Sequence, residues 1–441
     1  MKKLLLIPLV IVLVTALVLG GCKAVPAGET EVRLGSVSPL TGMFGGFGEG
    51  NSFGMKAAVE DINKLGGVSV GGVKLPVKLI LVDNESDPVK AGTLAEDLCV
   101  GDKIHAMVTP DCPVTIHHPV SSACEKHMVP NIIGGGPFEP WDGYRMSLEK
   151  PWEYTWLCGF RIVTDSPEGD FRHGKPGYSI KDTWFAMLDM FADQTNKVAG
   201  VLASDDADGV GWYGLFPGAL EEYGLTVIGV EKELGLFPMG TTDFTPIIKE
   251  WKDNNVEILW GNCPPPDFAT LWRQCTAQGF KPKIATIGRA PLFYVDVQSW
   301  GGDLPWGVGT EVWWSKDYPA AHCPGIGDTT PQSLAARWGE ATGQPLNPGI
   351  GHGYLAVQLM LDAIERAGSL DADAINKAIS ETDVLTINSR MVFDKQQHFS
   401  GMPLFVGQWT KVDAPHQWEL PICFSEHDFL PALGKPIFPL P

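Results

Sequence analysis

Short apolar runs alternate with longer amphipathic stretches from about residue 32 to residue 133. The runs VRLGSVSPL, LPVKLILVD, IHAMVTP and VPNIIGGG have the length and the β-branched content of buried strands. Between them, apolar residues recur at helical spacing over about Asn51–Leu65, over PVKAGTLAEDLCVG, and from about Val114 to Met128. Strands that alternate with helices of this length predict parallel βαβ units.

The same alternation resumes after a loop-rich stretch over residues 134–177. The runs KVAGVLAS, LTVIGVE, VEILWGN, KIATIG and GVGTEVWWS predict strands, and helices are predicted near Pro331–Thr342 and Gly353–Ala367. The last alternating stretch, SRMVFDKQQHFSGMPLFVGQWTKV, predicts a pair of β-hairpins. The whole pattern therefore predicts an α/β protein with two units of doubly wound character.

The first residues indicate export. Lys2 and Lys3 precede the apolar run Leu4–Leu19, which is short for a membrane span and has the length of an export signal. The sequence LGGC that ends at Cys22 resembles a bacterial lipobox. We therefore predict a lipoprotein signal peptide over residues 1–21, a lipid on Cys22 and a lipid-anchored tether over residues 22–31. An ordinary signal peptide and a retained signal anchor are the alternatives.

Composition narrows the classes of partner. The chain has 441 residues, 44% of them hydrophobic, and a net charge of −19, so it can bury the cores of two or three domains. Strong acidity argues against a nucleic-acid partner and against adsorption to anionic lipid. Eight cysteines remain besides Cys22, and an exported chain can oxidise them, but the sequence leaves their pairing open.

A glycine-rich turn at residues 40–54 leads into the first predicted helix, as phosphate-binding turns do. A dinucleotide fingerprint needs G-x-G-x-x-G, but after Gly46 and Gly48 the third position is Asn51. No P-loop motif occurs anywhere in the chain. We therefore predict no nucleotide and no other cofactor. A helix that starts at a strand end still favours an anionic ligand group.

Two further motifs resemble a metal site and a catalytic serine turn. Cys112, His117, Cys124 and His127 lie on or just before one predicted helix, and both residue types bind zinc. Ligands seven residues apart on a rigid helix are separated by about 10 Å, so we predict no metal. The G-x-S-x-G match at residues 67–71 follows a helix instead of preceding one, and it therefore predicts a turn.

The stretches LGSVSPLTGMFGGFGEGNSFGMKAAVEDINKLGGV, VKLPVKLILVDNESDPVKAGTLAEDL, VPNIIGGGP and YTWLCGFRI resemble the solute-binding proteins of ABC importers in the branched-chain amino-acid-binding family. The resemblance covers residues 32–162 strongly and persists as strand-helix order to the end. It implies the type I periplasmic-binding fold, with two doubly wound parallel-sheet lobes joined by three crossover segments. We accordingly predict lobe 1 over residues 32–162 and 314–390, and lobe 2 over residues 163–313 and 391–441.

The same resemblance implies a solute cleft closed by a hinge and delivery to an ABC permease. Phe47 stands where the family places an aromatic cover, and Arg289 and Ala290 stand where an acid holds an amino acid's ammonium. Pro137 replaces a common threonine. The predicted ligand-binding residues are Phe47, Val114, Thr115, Gly135, Gly136, Pro137, Asp208, Trp212, Cys263, Pro264, Arg289 and Trp313.

Loss of that acid and gain of Arg289 predict an anionic organic solute, an aromatic or aliphatic carboxylate, with Trp212 and Trp313 as apolar walls. Pairing of Arg289 with a surface acid, an amino-acid or amide solute, a ligand sensor and an exported hydrolase are the alternatives. We predict no catalytic residues and no enzyme, and a monomer anchored at the outer face of a bacterial cytoplasmic membrane. A single undivided sheet, or a cleft filled by the protein's own side chains, would argue against this interpretation.

Overall fold

The computed structural model describes residues 29–230 and 234–441. The predicted signal peptide, the lipid on Cys22 and most of the tether lie outside the described residues. Within those two ranges, no helix combines the length and the apolar character needed to cross a membrane.

Strands and helices alternate along the first part of the chain, as the pattern predicts. Its elements are β1 (Val32–Ser38), α1 (Gly45–Lys64), β2 (Val68–Val70), β3 (Val73–Leu75), β4 (Val77–Asp83), α2 (Pro88–Val100), β5 (Ala106–Thr109), α3 (Val114–His127), β6 (Asn131–Ile133), α4 (Phe138–Ser147) and β7 (Thr155–Gly159).

A second alternating series follows and ends in short strands. Its elements are α5 (Ile180–Phe191), β8 (Val198–Ser204), α6 (Ala207–Tyr223), β9 (Thr226–Ile228), β10 (Leu236–Phe237), α7 (Thr245–Asp253), β11 (Ile258–Cys263), α8 (Pro265–Ala277), β12 (Ile284–Arg289), α9 (Tyr294–Val297), β13 (Gly309–Val312), α10 (Pro331–Thr342), α11 (Gly349–Ala367), α12 (Ala372–Ser380), β14 (Asp383–Leu385), β15 (Arg390–Val392), β16 (Phe399–Gly401), β17 (Phe405–Gln408), β18 (Thr410–Lys411), β19 (Trp418–Glu419) and β20 (Ile422–Phe424).

A six-stranded parallel sheet forms the first lobe, with the strand order β16-β7-β6-β5-β1-β4. Its inner strand β1, next to the edge strand β4, is buried on both faces. Val32 and Leu34 pack in one core cluster with residues of α1 and α11, whereas Val37 packs in another with residues of α2 and α3. Helices on both faces of the sheet explain why β1 is buried on both sides.

An eight-stranded sheet forms the second lobe, with the order β10-β8-β11-β12-β13-β17-β20 and with β9 paired to β8. Its strands are parallel from β10 to β13, whereas β17 runs antiparallel to both of its neighbours, β13 and β20. The chain passes between the sheets three times, after β7, after β13 and after β16. The prediction of two parallel-sheet lobes joined by three crossovers is therefore confirmed.

The glycine-rich turn belongs to a helix. The first helix begins at Gly45 instead of near Asn51, so the glycines lie in its first turns. A Cβ on Gly48 would lie 2.1 Å from the Pro39 oxygen, and one on Gly54 would lie 2.0 Å from the Ile350 oxygen. These glycines let the helix pack directly against β1's end and against α11, because any side chain there would overlap backbone atoms.

The predicted pair of hairpins near the end of the chain is wrong. β15 pairs with β14, β16 joins the first sheet parallel to β7, and β17 lies antiparallel between β13 and β20. Alternation indicates which face of a strand is buried, but β16 and β17 find their partners β7 and β13 far away in sequence. The lobe boundaries stay a prediction, and we propose to assign residues 399–401 to lobe 1.

Candidate functional site

One small cavity lies where the two lobes meet, and its volume is about 20 Å³. Most of its lining residues follow the ends of parallel strands or begin helices, which is where open α/β sheets bind ligands. The lining residues are Phe47, Asp111, Cys112, Pro113, Pro137, Phe160, Asp208, Trp212, Asn262, Arg289, Glu311 and Trp313.

The size of this cavity shows how closely the lobes approach. A volume of about 20 Å³ is close to that of a single water site, whereas small-molecule pockets measure roughly 300–1,000 Å³. The protein's own side chains thus fill most of the cleft, and in this closed arrangement that finding argues against the expected solute cleft. An organic solute can enter this site only if the lobes separate or these side chains move.

Aromatic rings from both lobes meet around the cavity. The Phe47 ring lies edge-on to Phe293, with centroids 4.7 Å apart, and 6.0 Å from Trp313. Trp313 in turn stacks near Phe160, at 6.1 Å, and near His352, at 5.3 Å. These ring contacts give the cleft an apolar wall with a defined shape.

The guanidinium of Arg289 is held by its own lobe. Its Nη1 donates to Asp206 Oδ2 at 2.8 Å, and its Nη2 donates to Asp206 Oδ1 at 3.0 Å and to Ser204 Oγ at 2.6 Å. Its Nε donates to the side-chain oxygen of Asn262. Arg289 is therefore not an unpaired cation that awaits a solute. The alternative of pairing with an acid holds, although the acid is buried instead of exposed.

The backbone of Arg289 is unusual as well. Its φ is +61°, a conformation that side-chain-bearing residues seldom adopt and that clusters at functional sites. Arg289 is the last residue of β12, and the bonds to Asp206 fix its side chain beside the cavity. The strained turn and the ion pair together hold the guanidinium in one place.

Two neighbouring aspartates differ in how easily they ionise. Burial works to raise the pKa of Asp206, but Arg289 overcomes that effect and the pKa lies below its usual value. Burial raises the pKa of Asp208 to about 7, although the Arg289 guanidinium, 3.9 Å from Asp208 Oδ2, opposes the rise. The Asp208 carboxyl, with a pKa of about 7, therefore changes between its protonated and ionised forms near neutral pH.

The other buried acids follow the same rule. Burial raises the pKa of Glu311 to about 7, and its carboxylate accepts a hydrogen bond from Thr310 Oγ1 at 3.1 Å. Burial also raises the pKa of Asp111, whose Oδ2 lies 2.8 Å from His352 Nδ1. Carboxyl groups thus outnumber cations around the cavity.

Three nitrogen donors in the cavity wall have no hydrogen-bond partner within residues 29–230 and 234–441. They are the indole nitrogens of Trp212 and Trp313 and the amide nitrogen of Asn262. A buried donor without a partner costs about 1–3 kcal/mol, so these groups favour a ligand with acceptor atoms. The wall therefore offers donors and acidic acceptors to the same small space.

Six of the twelve predicted residues line the cavity: Phe47, Pro137, Asp208, Trp212, Arg289 and Trp313. Val114 contacts this group through its backbone, because its N–H donates to Asp208 Oδ2 at 2.8 Å. Thr115 is half-buried in the next position. The role of all these residues in binding stays a prediction.

The remaining predicted residues are close but do not line the cavity. Gly135 lies beneath it, and a Cβ there would be 2.6 Å from both Asp111 Cγ and His352 Nδ1. Gly136 packs against His117 in the same way. Cys263 belongs to the core cluster on the other face of the second sheet, and Pro264 precedes α8.

Sequence reasoning missed several lining residues. Asn262 ends a predicted strand and Asp111 directly follows one, so their position at a strand end could have indicated them. Phe160 and Glu311 carry no local signal, because only the meeting of two lobes brings them together.

The candidate metal residues are used otherwise. His117 Nε2 lies 3.1 Å from the Pro110 oxygen, and His127 Nε2 lies 2.5 Å from Glu96 Oε2. Among the described residues, no group of three histidine, cysteine or acidic side chains could hold a metal ion. The eight cysteines of the described ranges are all free thiols.

Comparison with known proteins gives one consistent result. The model of the periplasmic binding protein family matches residues 31–414. The Leu/Ile/Val-binding protein homolog 3 of Brucella melitensis biotype 1 is 25% identical over 359 residues, which cover 80% of this chain and 84% of that protein.

Solved structures agree with the fold. The leucine-binding protein LivK of Thermotoga maritima superposes with a TM-score of 0.68 and 19% identity, over 88% of this chain and 97% of that one. A solute-binding protein of Rhodopseudomonas palustris BisB5, in complex with 3,4-dihydroxybenzoic acid, gives 0.66 and 18%, over 92% and 99%. At these identities, the likeness shows the fold alone.

Proposed function

The chain belongs to the periplasmic binding protein family, and from that premise we propose that it captures a small organic solute by hinge closure and hands it to an ABC import permease. It is a solute-binding protein of the ABC-transporter type and not an enzyme. Its family places it outside the cytoplasm.

One observation carries the proposal about the cleft. Both lobes contribute side chains to a single buried cavity, in which aromatic rings surround a few convergent polar groups. Small-molecule sites have this composition. When a site is divided between two lobes, a ligand that contacts both of them stabilises the closed form.

A carboxylate on an aromatic or apolar body is the proposed solute class. The unpartnered nitrogens of Trp212, Trp313 and Asn262 support it, since each can donate to a carboxylate oxygen. The structural neighbour from Rhodopseudomonas palustris holds an aromatic acid of this kind. Because Arg289 is already paired with Asp206, the negative charge of such a solute would be stabilised by neutral hydrogen-bond donors and by the N-termini of helices.

A second candidate is a solute that also carries an amine, such as an amino acid. The excess of buried carboxyls favours it, because an ammonium would ionise Asp208 or Glu311 and relieve the cost of their burial. The Brucella relative is named for leucine, isoleucine and valine.

Native mass spectrometry of the purified protein tests the proposal directly, by revealing a co-purified small molecule. A thermal-shift screen with 3,4-dihydroxybenzoate, benzoate, L-leucine and leucinamide then separates the candidates. A ligand at a hundred times its dissociation constant stabilises the folded protein by about 2.7 kcal/mol.

The Trp313→Ala variant removes a side chain that lines the cavity and tests the site. Trp338→Ala is the matched control, because Trp338 lies in the core of lobe 1 away from the cleft. Stabilisation by acids that lack an amine, lost in the first variant only, supports the carboxylate proposal. Stabilisation by leucine alone supports the second candidate. If a ligand stabilises both variants equally, the result contradicts the proposal that the cleft is the binding site.

We further propose that a lipid on Cys22 holds the chain, as a monomer, at the outer face of the cytoplasmic membrane. The lipobox-like sequence before Cys22 supports this. Replacement of Cys22 by Ser is expected to release the protein from the membrane fraction. Retention of the variant in that fraction would contradict the lipid anchor.

A further inference from the structure

One hydrogen bond joins the lobes across the cleft without any other molecule. The backbone N–H of Val114 donates to Asp208 Oδ2 at 2.8 Å, although the two residues are 94 positions apart. Val114 begins helix α3 behind a strand of the first sheet, and Asp208 lies in the first turn of α6 behind a strand of the second. Both residues are almost completely buried.

Among the described residues, the Val114 N–H has no hydrogen-bond acceptor in its own lobe. The first four N–H groups of a helix have no intrahelical partner, and a side chain before the helix usually accepts from them. Here the preceding residue is Pro113, which offers no such acceptor, and no side-chain cap is present. A carboxylate is the most favourable partner for a helix start, because of the partial positive charge there.

The carboxylate of Asp208 is not needed by its own helix. Asp206 caps α6, since its Oδ1 accepts from the Gly209 N–H at 3.3 Å. Within the described ranges, the Val114 N–H is the hydrogen-bond donor to Asp208, and the Arg289 guanidinium stands farther away, at 3.9 Å. Asp208 therefore serves the opposite lobe.

The surroundings of this bond show that it lies in a real interface. Phe47 of one lobe contacts Phe293 of the other at 4.7 Å, and Gly211 lies so close to Pro140 that an added Cβ would be 3.0 Å away. Water is thereby kept from the bond, and the ionised form of Asp208 makes the stronger, charge-assisted hydrogen bond to this N–H.

We propose that Asp208 is a latch: its carboxylate caps helix α3 across the cleft, helps to hold the lobes together without a solute, and must leave the Val114 N–H before an acceptor group of a solute can bind there. This rests on the proposed function only in its last part. A solute with an anionic group at this helix start competes with a carboxylate of the protein itself, so Asp208 also sets a threshold for such solutes.

Small-angle scattering of the solute-free full chain tests the latch. The Asp208→Ala variant is expected to shift the closed-to-open ratio toward the open form by on the order of tenfold, seen as a larger radius of gyration. Asp205→Ala is the matched control, because it removes one exposed carboxylate from the same loop, and its radius is expected to equal that of the wild type.

Asp208→Asn supplies the second variant, since its amide oxygen can still accept the bond while the charge is gone. Its radius is expected to lie between those of the wild type and the alanine variant. Circular dichroism melts establish that each variant is folded, and if the alanine variant is unfolded the asparagine variant decides alone. Equal radii for folded Asp208 variants and wild type would overturn the latch.

The outcome is separable from that of the proposed function. Suppose that 3,4-dihydroxybenzoate or leucine binds the wild type and reduces its radius of gyration, while the solute-free Asp208 variants have the same radius as the solute-free wild type. The latch is then wrong and the proposed function stands. If the variants open as expected and no probe or co-purified molecule binds, the latch stands and the solute proposal fails. Tighter binding of 3,4-dihydroxybenzoate to Asp208→Asn than to the wild type would further support the threshold.

Discussion

The two walls of the cleft are built on different principles. The first lobe contributes loops after β5 and β6, in which the backbone at Gly135 lies against Asp111 and His352 with no room for another atom. The second lobe contributes a buried network in which Arg289 bridges Asp206, Ser204 and other groups. The first wall is defined by close backbone contact and the second by a buried ion pair. Substitutions that add atoms should therefore destabilise the first wall, and substitutions that remove a charge should destabilise the second.

The largest effect is expected from Arg289→Met in the second wall. Loss of the guanidinium leaves Asp206 buried without its cation, which should lower the free energy of unfolding by about 3–5 kcal/mol in urea denaturation. Arg390→Met is the control, because Arg390 pairs with Asp383 at 2.7 Å on the surface and should cost less than about 1 kcal/mol. Similar losses in both variants would contradict a charge-built wall.

The pH dependence of stability is the second test. The pKa of Glu311 rises to about 7 when the chain folds, with Thr310 and Asp111 facing it, so the folded state binds the extra proton between about pH 4.5 and 7. Stability from this group is complete below that window and is lost as the pH rises through it. Relative to Glu311→Gln, the wild type should lose about 2–3 kcal/mol from about pH 5 to 8.

Urea denaturation at several pH values measures this difference. Glu340→Gln, on the exposed face of α10, is the control, and its stability should run parallel to that of the wild type. A Glu311→Gln profile that also runs parallel to the wild type would show that Glu311 titrates normally.

The smallest effect belongs to the first wall. In Gly135→Ala the new Cβ would lie 2.6 Å from Asp111 Cγ, so neighbours must shift and the loss should be about 1–3 kcal/mol. Gly143→Ala is the matched control, because nothing lies within 4 Å of its Cβ in helix α4, and it should stabilise by about 0.5–1 kcal/mol. Thermal unfolding compares the two. Tolerance of alanine at Gly135 would break the contrast between the walls.

Local pattern predicts the strands and helices, and it fails where partners are distant. The run from Val32 to Ser38 is buried on both faces because helices cover both, and its valines and leucine in a short run are visible in the sequence. The alternation of residues 389–412 is equally visible, but it cannot tell that Phe399–Gly401 joins the first sheet while Phe405–Gln408 joins the second. Strands this short carry too little information to select a partner.

The candidate site divides in the same way. Phe47 lines the cavity at the position where the resemblance implies an aromatic cover, and Trp313, predicted as an apolar wall, lines it as well. The pairing of Arg289 with Asp206 joins residues 83 positions apart, and no local pattern encodes it. The choice of an anionic solute rested on a free Arg289, so that argument weakens once the pair is seen.

The cavity of about 20 Å³ has a kinetic consequence. If solute enters only when the halves swing apart, the observed rate of capture rises with solute concentration at first and then levels off at the frequency of opening. Stopped-flow tryptophan fluorescence would show that plateau. Abundant solute in the surroundings would then be collected at a pace fixed by the protein's own motion.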